Sequence, residues 1–138
     1  MSLRVTTELD EMDFKAIHDF LQKSYWSAGI PATLLSKALQ NSLCFALLDN
    51  ERTIGFARMV TDCATFGYLA DVFIIQAYRG RGLSKQLMDA VVAHPQLQGL
   101  RRTMLATSDA HGLYEQYGFA RIADPSMLMQ KYDPAIYQ

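Results

Sequence analysis

Two arginines and two glycines alternate at residues 79–82, within the stretch AYRGRGLSKQLMDAVVA. They follow an apolar run and precede residues with the apolar spacing of a helix. The start of a helix leaves backbone N–H groups unpaired and carries partial positive charge, and glycine lets an anion approach the backbone closely. This local pattern predicts either a phosphate-binding loop or a tight turn with solvated arginines.

A carboxylate lies in an unusual place shortly before this loop. Asp71 is the only acidic residue of the apolar run YLADVFII, and a carboxylate among apolar side chains costs free energy unless it is paired or hydrated. It could anchor an amine or act as a base through water. It could equally be a structural carboxylate bonded to the backbone or to an arginine such as Arg58.

Other side chains able to do chemistry lie on both sides of these two features. Histidine is the residue type suited to proton transfer near neutral pH, so His111 could move a proton. Tyr25 and Trp26 could frame an acceptor, and a cation over Trp26 would be stabilised, although ordinary aromatic packing explains both residues equally well. Asp109 is a candidate helix N-cap, with Thr107 and Ser108 as rivals for that role.

The elements that must position these residues alternate along the chain. Apolar spacing predicts strands at residues 4–9, 43–49, 52–61, 68–75 and 101–107, with two more around Pro125, at 119–124 and 126–132. Helices are predicted from Phe14 to Leu21 with Asp10 as N-cap, over 32–40, over 83–92, and over 110–117 ending at Gly118. The order predicts a mixed α/β sheet in one domain.

Composition excludes several classes of protein. The chain has 138 residues, is 50% hydrophobic and has a net charge of −1, which fits one domain with a real core and argues against a general nucleic-acid binder. No apolar run approaches the roughly 20 residues of a membrane span, and the first residues lack a signal sequence, so a cytoplasmic location is expected. Cys44 and Cys63 match no metal or disulfide pattern, so no metal is predicted.

Two motifs resemble those of one superfamily. Arg79, Gly82 and Ser84 fit Arg-x-x-Gly-x-Ser, which resembles the acyl-CoA pyrophosphate loop of the GNAT superfamily (GCN-related N-acetyltransferases), Gln/Arg-x-x-Gly-x-Gly/Ala. Ser84 is a departure, but serine is small. The Walker A and dinucleotide patterns do not fit. GLYEQYGF, from Gly112 to Phe119, resembles the family's Leu-Tyr-x-x-x-Gly-Phe. The element order also matches, so the resemblance covers nearly the whole chain.

The resemblance implies a fold and an activity. The fold is a single GNAT domain over residues 1–138, of α/β (α+β) class, whose mixed sheet has a splayed fourth and fifth strand. The activity is that of an N-acetyltransferase, an acyltransferase that moves acetyl directly from acetyl-CoA to a primary amine in a ternary complex, with a small molecule expected as the acceptor rather than a protein. The alternatives are a non-catalytic acyl-CoA-binding or regulatory module and another nucleotide binder. Homodimers are common in the family, and neither membrane nor nucleic acid is implied as a partner.

The resemblance also assigns residues. Tyr114 occupies the position of the tyrosine that donates a proton to the departing thiolate, whereas Tyr117 is expected to pack in the core. Acetyl-CoA is expected to contact the strand before the loop, where a backbone N–H binds the oxyanion, and then the loop itself: Val72, Phe73, Ile74, Arg79, Gly80, Arg81, Gly82, Leu83 and Ser84.

The base and the acceptor site are less well defined by the resemblance. Many relatives use a Glu on the fourth strand, which this chain lacks, so Asp71, a water relay or His111 is expected to serve instead. The residues predicted to bind the acceptor are Tyr25, Trp26, Phe66, Asp71 and His111. If Asp62, Asp71 and Asp109 converge, they favour a cationic amine.

Overall fold

A single five-stranded sheet forms the centre of the protein, as seen in a computed structural model that describes residues 1–138. Its strands lie side by side in chain order: β1 (Leu3–Thr6), β2 (Leu43–Asp49), β3 (Arg52–Thr61), β4 (Phe66–Ile74) and β5 (Arg102–Leu105). The first four pair antiparallel, whereas β5 is parallel to β4. A parallel pair needs a crossover connection, and a helix between β4 and β5 supplies it.

Four helices cover the two faces of the sheet: α1 (Phe14–Leu21), α2 (Ala32–Gln40), α3 (Leu83–Ala93) and α4 (His111–Glu115). The apolar sides of α1 and α2 pack with Phe56 and Phe73 in one buried cluster. The apolar stripe of α3 packs with Phe45 and other residues of β2, β3 and β4 in a second cluster. The sheet is therefore buried between two helical layers, as expected for an α/β domain.

Local chemistry explains where these elements begin and turn. The side chain of Asp13 accepts a hydrogen bond from the amide of Ala16 at 3.1 Å and caps α1. Asn50 and Glu51 both have positive φ, of 49° and 69°, which is typical of the two-residue turn that joins β2 to β3. Asp13 thus takes the N-cap role that the sequence had given to Asp10.

The fourth and fifth strands separate part-way along their length. Only Phe66 to Leu69 pair with β5, so residues 70–74 of β4 have no strand on that side. The pairing of β3 with β4 shifts register between Phe56 and Arg58, and Asp71, opposite this shift, has φ 57°. An extra residue of this kind bends a strand and increases its twist. The expected splay between the fourth and fifth strands is thus present.

The two strands predicted around Pro125 are absent, and that prediction was wrong. Residues 125–127 form one turn of 3-10 helix, and the backbone of residues 120–138 donates only three hydrogen bonds to other backbone groups, all local. The apolar residues that favoured strands are present in both stretches, but this part of the chain pairs with no strand. None of the four helices has the length and apolar character required to cross a membrane.

Candidate active site

The gap between β4 and β5 opens into a cavity of about 820 Å³. Its walls come from α1 and the loop after it, from β4, from the start of α3, and from the segment between β5 and α4. The lining includes Phe20, Tyr25, Trp26, residues 69–74, Arg79, Ser84, residues 105–110, Leu113 and Tyr114. One cavity therefore connects the loop before α3 with the aromatic residues after α1.

At one end of the cavity, the loop before α3 presents a row of free backbone donors. The amides of residues 80–84 make no hydrogen bond within the chain. Gly80 and Gly82 have φ of 79° and 72°, a backbone conformation that L side chains rarely adopt, and Gly82 is the N-cap of α3. Five consecutive free amides at a helix start form a site suited to an anion such as a phosphate.

The arginines of this loop also shape it. Arg79 Nε donates a hydrogen bond to the carbonyl oxygen of Ile74 at 3.0 Å, which ties the loop to the end of β4. The guanidinium of Arg81 lies over the ring of Tyr78, at 5.2 Å from its centroid. Both cations stay close to the free amides and add positive charge there.

Tyr114, on α4, lines the cavity between the separated strands. Its side chain is only 8% exposed, and its ring packs edge-on against Phe119. Burial raises the pKa of the phenol, and the nearby Asp109 and Tyr25 raise it further. The hydroxyl group is therefore protonated at neutral pH and can act as a proton donor.

Tyr117 lies outside this cavity, although it is only three residues away. Its hydroxyl donates to Asp89 Oδ1 at 2.7 Å, and burial together with this bond raises its pKa to about 12. It lines a groove beside α3 instead, as expected for a packing residue.

Asp71 is buried, and both of its carboxylate oxygens accept hydrogen bonds. Oδ2 accepts a hydrogen bond from Arg58 Nε at 2.8 Å, and Oδ1 accepts one from Trp26 Nε1 at 2.9 Å. The ion pair between Asp71 and Arg58, which was one of the two interpretations of Asp71 from the sequence, is present. The bulge in β4 therefore holds the indole of Trp26 at the cavity wall through Asp71.

The aromatic side of the cavity is an assembly of three rings on the α1 side. Tyr25 and Trp26 meet edge to face at 5.1 Å, and Phe20 stacks on Phe73 at 3.9 Å. The hydroxyls of Tyr25 and Ser108 are 2.8 Å apart, so a hydrogen bond joins the loop after α1 to the loop after β5. The sequence predicted that Tyr25 and Trp26 belong to the site, but it missed Phe20. The only signal for Phe20 in the sequence is an aromatic residue beside the apolar stripe of a helix.

Asp109 is the acidic residue of the cavity without a partner. Thr107 Oγ1, rather than Asp109, accepts hydrogen bonds from the amides of Asp109 and Ala110 before α4. The carboxylate of Asp109 is thus left free, and it lines the cavity on the same segment as Ser108. Thr107 thus takes the capping role for which Asp109 was one candidate, and Asp109 remains available to the site.

Three residues do not join the cavity. Phe66 is at the outer start of β4, and His111 lines a neighbouring groove. Asp62 is bound within its own turn by three amides and the Thr65 hydroxyl, which hold its pKa well below the usual range. The three aspartates therefore do not converge, because only Asp71 and Asp109 reach the cavity. Acceptor binding by Phe66 or His111 stays a prediction.

Sequence comparison identifies the family. Residues 40–121 match the profile of the acetyltransferase (GNAT) domain, which is more than half of the chain. The chain belongs to the GNAT family. This GNAT protein is 48% identical to a candidate acetyltransferase from Xanthomonas campestris, whose crystal structure superposes with a TM-score of 0.95 and covers 99% of this chain and 97% of that one.

More distant relatives extend the comparison. A candidate acetyltransferase of Gibberella zeae is 32% identical in an alignment that covers 65% of this chain and only 62% of that protein. The ribosomal protein bS18-alanine N-acetyltransferase of Haemophilus influenzae is 26% identical over 87% of this chain and 84% of its own length. A GNAT acetyltransferase of Elizabethkingia anophelis with acetyl-CoA bound shares the fold, with 16% identity, a TM-score of 0.67, and coverage of 89% of this chain and 78% of that one.

Proposed function

We propose that the protein transfers an acetyl group from acetyl-CoA to a primary amine held in the same cavity. The observation that carries this proposal is that one cavity between β4 and β5 is lined by Tyr114 and, through Arg79 and Ser84, by the loop whose amides at residues 80–84 are free. The first suits the pyrophosphate of a coenzyme, and the second suits a departing thiolate.

The donor site would be formed by the loop and the open edge of β4. The amides of residues 80–84 donate to the pyrophosphate, and Arg79 and Arg81 contribute positive charge. The unpaired edge over Val72, Phe73 and Ile74 offers backbone groups to the pantetheine arm, as one strand does to another. A backbone N–H of this edge binds the negative charge that develops on the carbonyl oxygen.

The chemistry requires protons to leave the nitrogen and one proton to reach the sulfur. Acetyl-CoA supplies acetyl as a thioester, so that the amine nitrogen forms a bond to the carbonyl carbon as the carbon–sulfur bond breaks. Tyr114 gives its proton to the sulfur as general acid. The nitrogen, which arrives as ammonium, loses one proton to a base before it attacks and a second proton as the amide forms. One of these protons returns to Tyr114 through water, and the other is released to the solvent.

The acceptor site would lie between the aromatic rings and Asp109. Trp26 and Tyr25 present ring faces and edges to a cation, and Asp109 is the free carboxylate on the segment between β5 and α4. An amine arrives mostly as ammonium, which these groups favour, and Asp109 can accept its proton directly or through water. Because Arg58 and Trp26 engage both oxygens of Asp71, its proposed role is to position Trp26, and its role as base remains a prediction to be tested by pH dependence.

The activity can be tested by the thiol released from acetyl-CoA in the presence of an amine panel. The panel should contain an arylalkylamine, a polyamine and a peptide that begins with alanine, since the Haemophilus relative acetylates an alanine of a ribosomal protein. We expect turnover of a small amine. Binding of CoA without turnover of any amine would instead support a regulatory acyl-CoA-binding module.

Binding specificity needs a separate measurement. A ligand that binds only the native state raises the melting temperature, so CoA should stabilise the protein more than ATP or NAD at equal concentration. A larger shift with ATP would contradict the assignment of the loop to CoA.

A further inference from the structure

Three aromatic rings form one continuous surface in the cavity, supplied by α1 and the loop after it. The ring centroids of Phe20 and Trp26 are 6.3 Å apart, with their planes tilted by 48°. Tyr25 meets Trp26 edge to face, with its centroid 5.1 Å away. All three residues line the cavity, and we call them the aromatic wall.

Hydrogen bonds hold the polar ends of the aromatic wall and leave much of its ring surface uncovered. The indole N–H of Trp26 donates to Asp71, and the hydroxyl of Tyr25 is hydrogen-bonded to that of Ser108. Tyr25 is nevertheless 71% exposed and Trp26 is 41% exposed. Neighbouring large apolar groups that remain exposed are typical of a binding surface, and rings already held in place lose little freedom when a ligand covers them.

The charges around the cavity allow one cation and provide for no anion beside the aromatic wall. Arg79 is the only cationic residue of the lining, and it belongs to the loop before α3, where its Nε is bonded to the carbonyl oxygen of Ile74. The charge of Asp71 is balanced by Arg58. Asp109 is therefore the one carboxylate of the lining that is available to an ammonium group. An anionic group placed here would lose water without gaining a cationic partner.

The free carboxylate lies close both to the proposed acid and to the aromatic wall. Asp109 and Tyr25 are near enough to Tyr114 to raise the pKa of its phenol. Tyr25 is also bonded to Ser108, the residue that precedes Asp109. An amine held by Asp109 is thus next to Tyr114, and the rest of the same molecule meets the rings of the aromatic wall.

We propose, on the basis of the acetyl transfer proposed above, that the acceptor is an arylalkylamine: a primary amine on a short chain that ends in an aromatic ring and carries no anionic group. The ring packs against the aromatic wall, where pairs of aromatic rings gain more than their buried area alone provides. Amino acids and amino-sugar phosphates are disfavoured because their anionic groups meet no cation there. A polyamine is disfavoured because its second ammonium group finds no second free carboxylate.

Matched amines of similar basicity test this substrate class by kcat/KM in the thiol-release assay. Phenethylamine should exceed cyclohexylethylamine, which has the same carbon skeleton without an aromatic ring, by about threefold or more. Phenethylamine with a para carboxamide should exceed phenethylamine with a para carboxylate by about tenfold or more. Equal values within either pair would overturn the inference, and so would a higher value for spermidine than for phenethylamine, although acetyl transfer itself would stand. No turnover of any amine would overturn both proposals.

Variants of the aromatic wall test whether it is the source of the preference for phenethylamine over cyclohexylethylamine. Tyr25→Leu and Trp26→Leu should each lower this ratio of kcat/KM about twofold or more, and the ratio is independent of a general loss of activity. Tyr25→Phe keeps the ring without the bond to Ser108 and should retain the preference. Tyr132→Leu is the matched control, because Tyr132 is also 71% exposed but lies outside the cavity, and it should leave the ratio unchanged. An unchanged ratio in both leucine variants of the wall would overturn the inference.

Discussion

Two tyrosines three residues apart have different environments, and the environment assigns their roles. Tyr114 opens on the cavity between the separated strands, whereas the hydroxyl of Tyr117 is bound to Asp89 and to the carbonyl oxygen of Lys85. Both have raised pKa values and are protonated at neutral pH. Only position within the fold makes one of them a candidate acid.

The Tyr114 hydroxyl should therefore be required for turnover and not for binding. Tyr114→Phe removes the proton donor and should lower kcat by about 10² or more, while KM for acetyl-CoA changes little, as measured in steady-state kinetics. Tyr117→Phe is the control with the same chemical change outside the cavity, and it should retain kcat. Equal kcat values for the Tyr114 variant and the wild type would remove this residue from the mechanism.

Substitution of either aspartate of the cavity should reduce activity, but the reduction should depend on pH differently for the two variants. At high pH more of the amine is already neutral, so a variant that lacks the base recovers part of its activity. We expect Asp109→Asn to lose more of kcat/KM near pH 6 than near pH 9. Asp71→Asn should lose a similar factor at every pH, because it frees Trp26 and leaves Arg58 unpaired. A loss concentrated at low pH in the Asp71 variant would restore Asp71 as the base.

At the scale of elements, the loop between β4 and α3 depends on glycine for its conformation and not for packing. A Cβ added at Gly80, Gly82 or Gly99 would meet no atom within 4 Å, yet all three have positive φ. Their substitution thus costs a similar backbone strain of about 1 kcal/mol. They differ in location, since Gly80 and Gly82 belong to the row of free amides.

Gly82→Ala should therefore distinguish the effect of backbone strain on stability from the effect of the altered loop on acetyl-CoA binding. We expect it to lower the melting temperature about as much as Gly99→Ala does. Only the Gly82 variant should raise KM for acetyl-CoA several-fold, because its methyl group and altered φ disturb the amides that face the pyrophosphate. A similar rise in KM in the Gly99 variant would show that the effect is general instability.

Elements whose signals are local could be predicted from the sequence, and those that depend on a partner could not. Pro31, the apolar spacing and Asn41 define α2 at residues 32–40, and the turn at 50–51 defines the hairpin. Residues 126–132 contain the apolar residues that favoured a strand, yet a strand exists only when another strand pairs with it. The loop and Tyr114 were visible because short motifs carry them. The free state of Asp109 and the Trp26–Asp71–Arg58 contacts arise from long-range packing, and no local pattern encodes them.

The stability of the whole molecule should fall at alkaline pH. Burial raises the pKa of the Cys44 thiol from 9.0 to about 12. Below about pH 9 the thiol is protonated in both states and has no effect. Between about 9 and 12 the unfolded chain releases the proton and the native chain keeps it, so the free energy of unfolding decreases as pH rises, by at most about 1.4 kcal/mol per pH unit for one group.

Thermal melting from pH 8 to pH 11 checks this expectation. Cys44→Ala should make the decrease in melting temperature with pH shallower, even though the lost packing lowers the melting temperature at every pH. Cys63→Ala, at an exposed cysteine, should leave the slope unchanged. Identical slopes for all three proteins would show that the tyrosines with raised pKa values dominate alkaline unfolding.

The single cavity that runs from the loop before α3 to the aromatic rings has a consequence for inhibitor design. No wall divides the proposed donor and acceptor regions, so one molecule in which the sulfur of CoA is joined to an amine by a short linker can occupy both. Once its CoA portion binds, the amine portion is present at a high effective concentration and loses little further freedom. Such a compound should bind more tightly than either half, and the amine giving the greatest gain would reveal the natural acceptor.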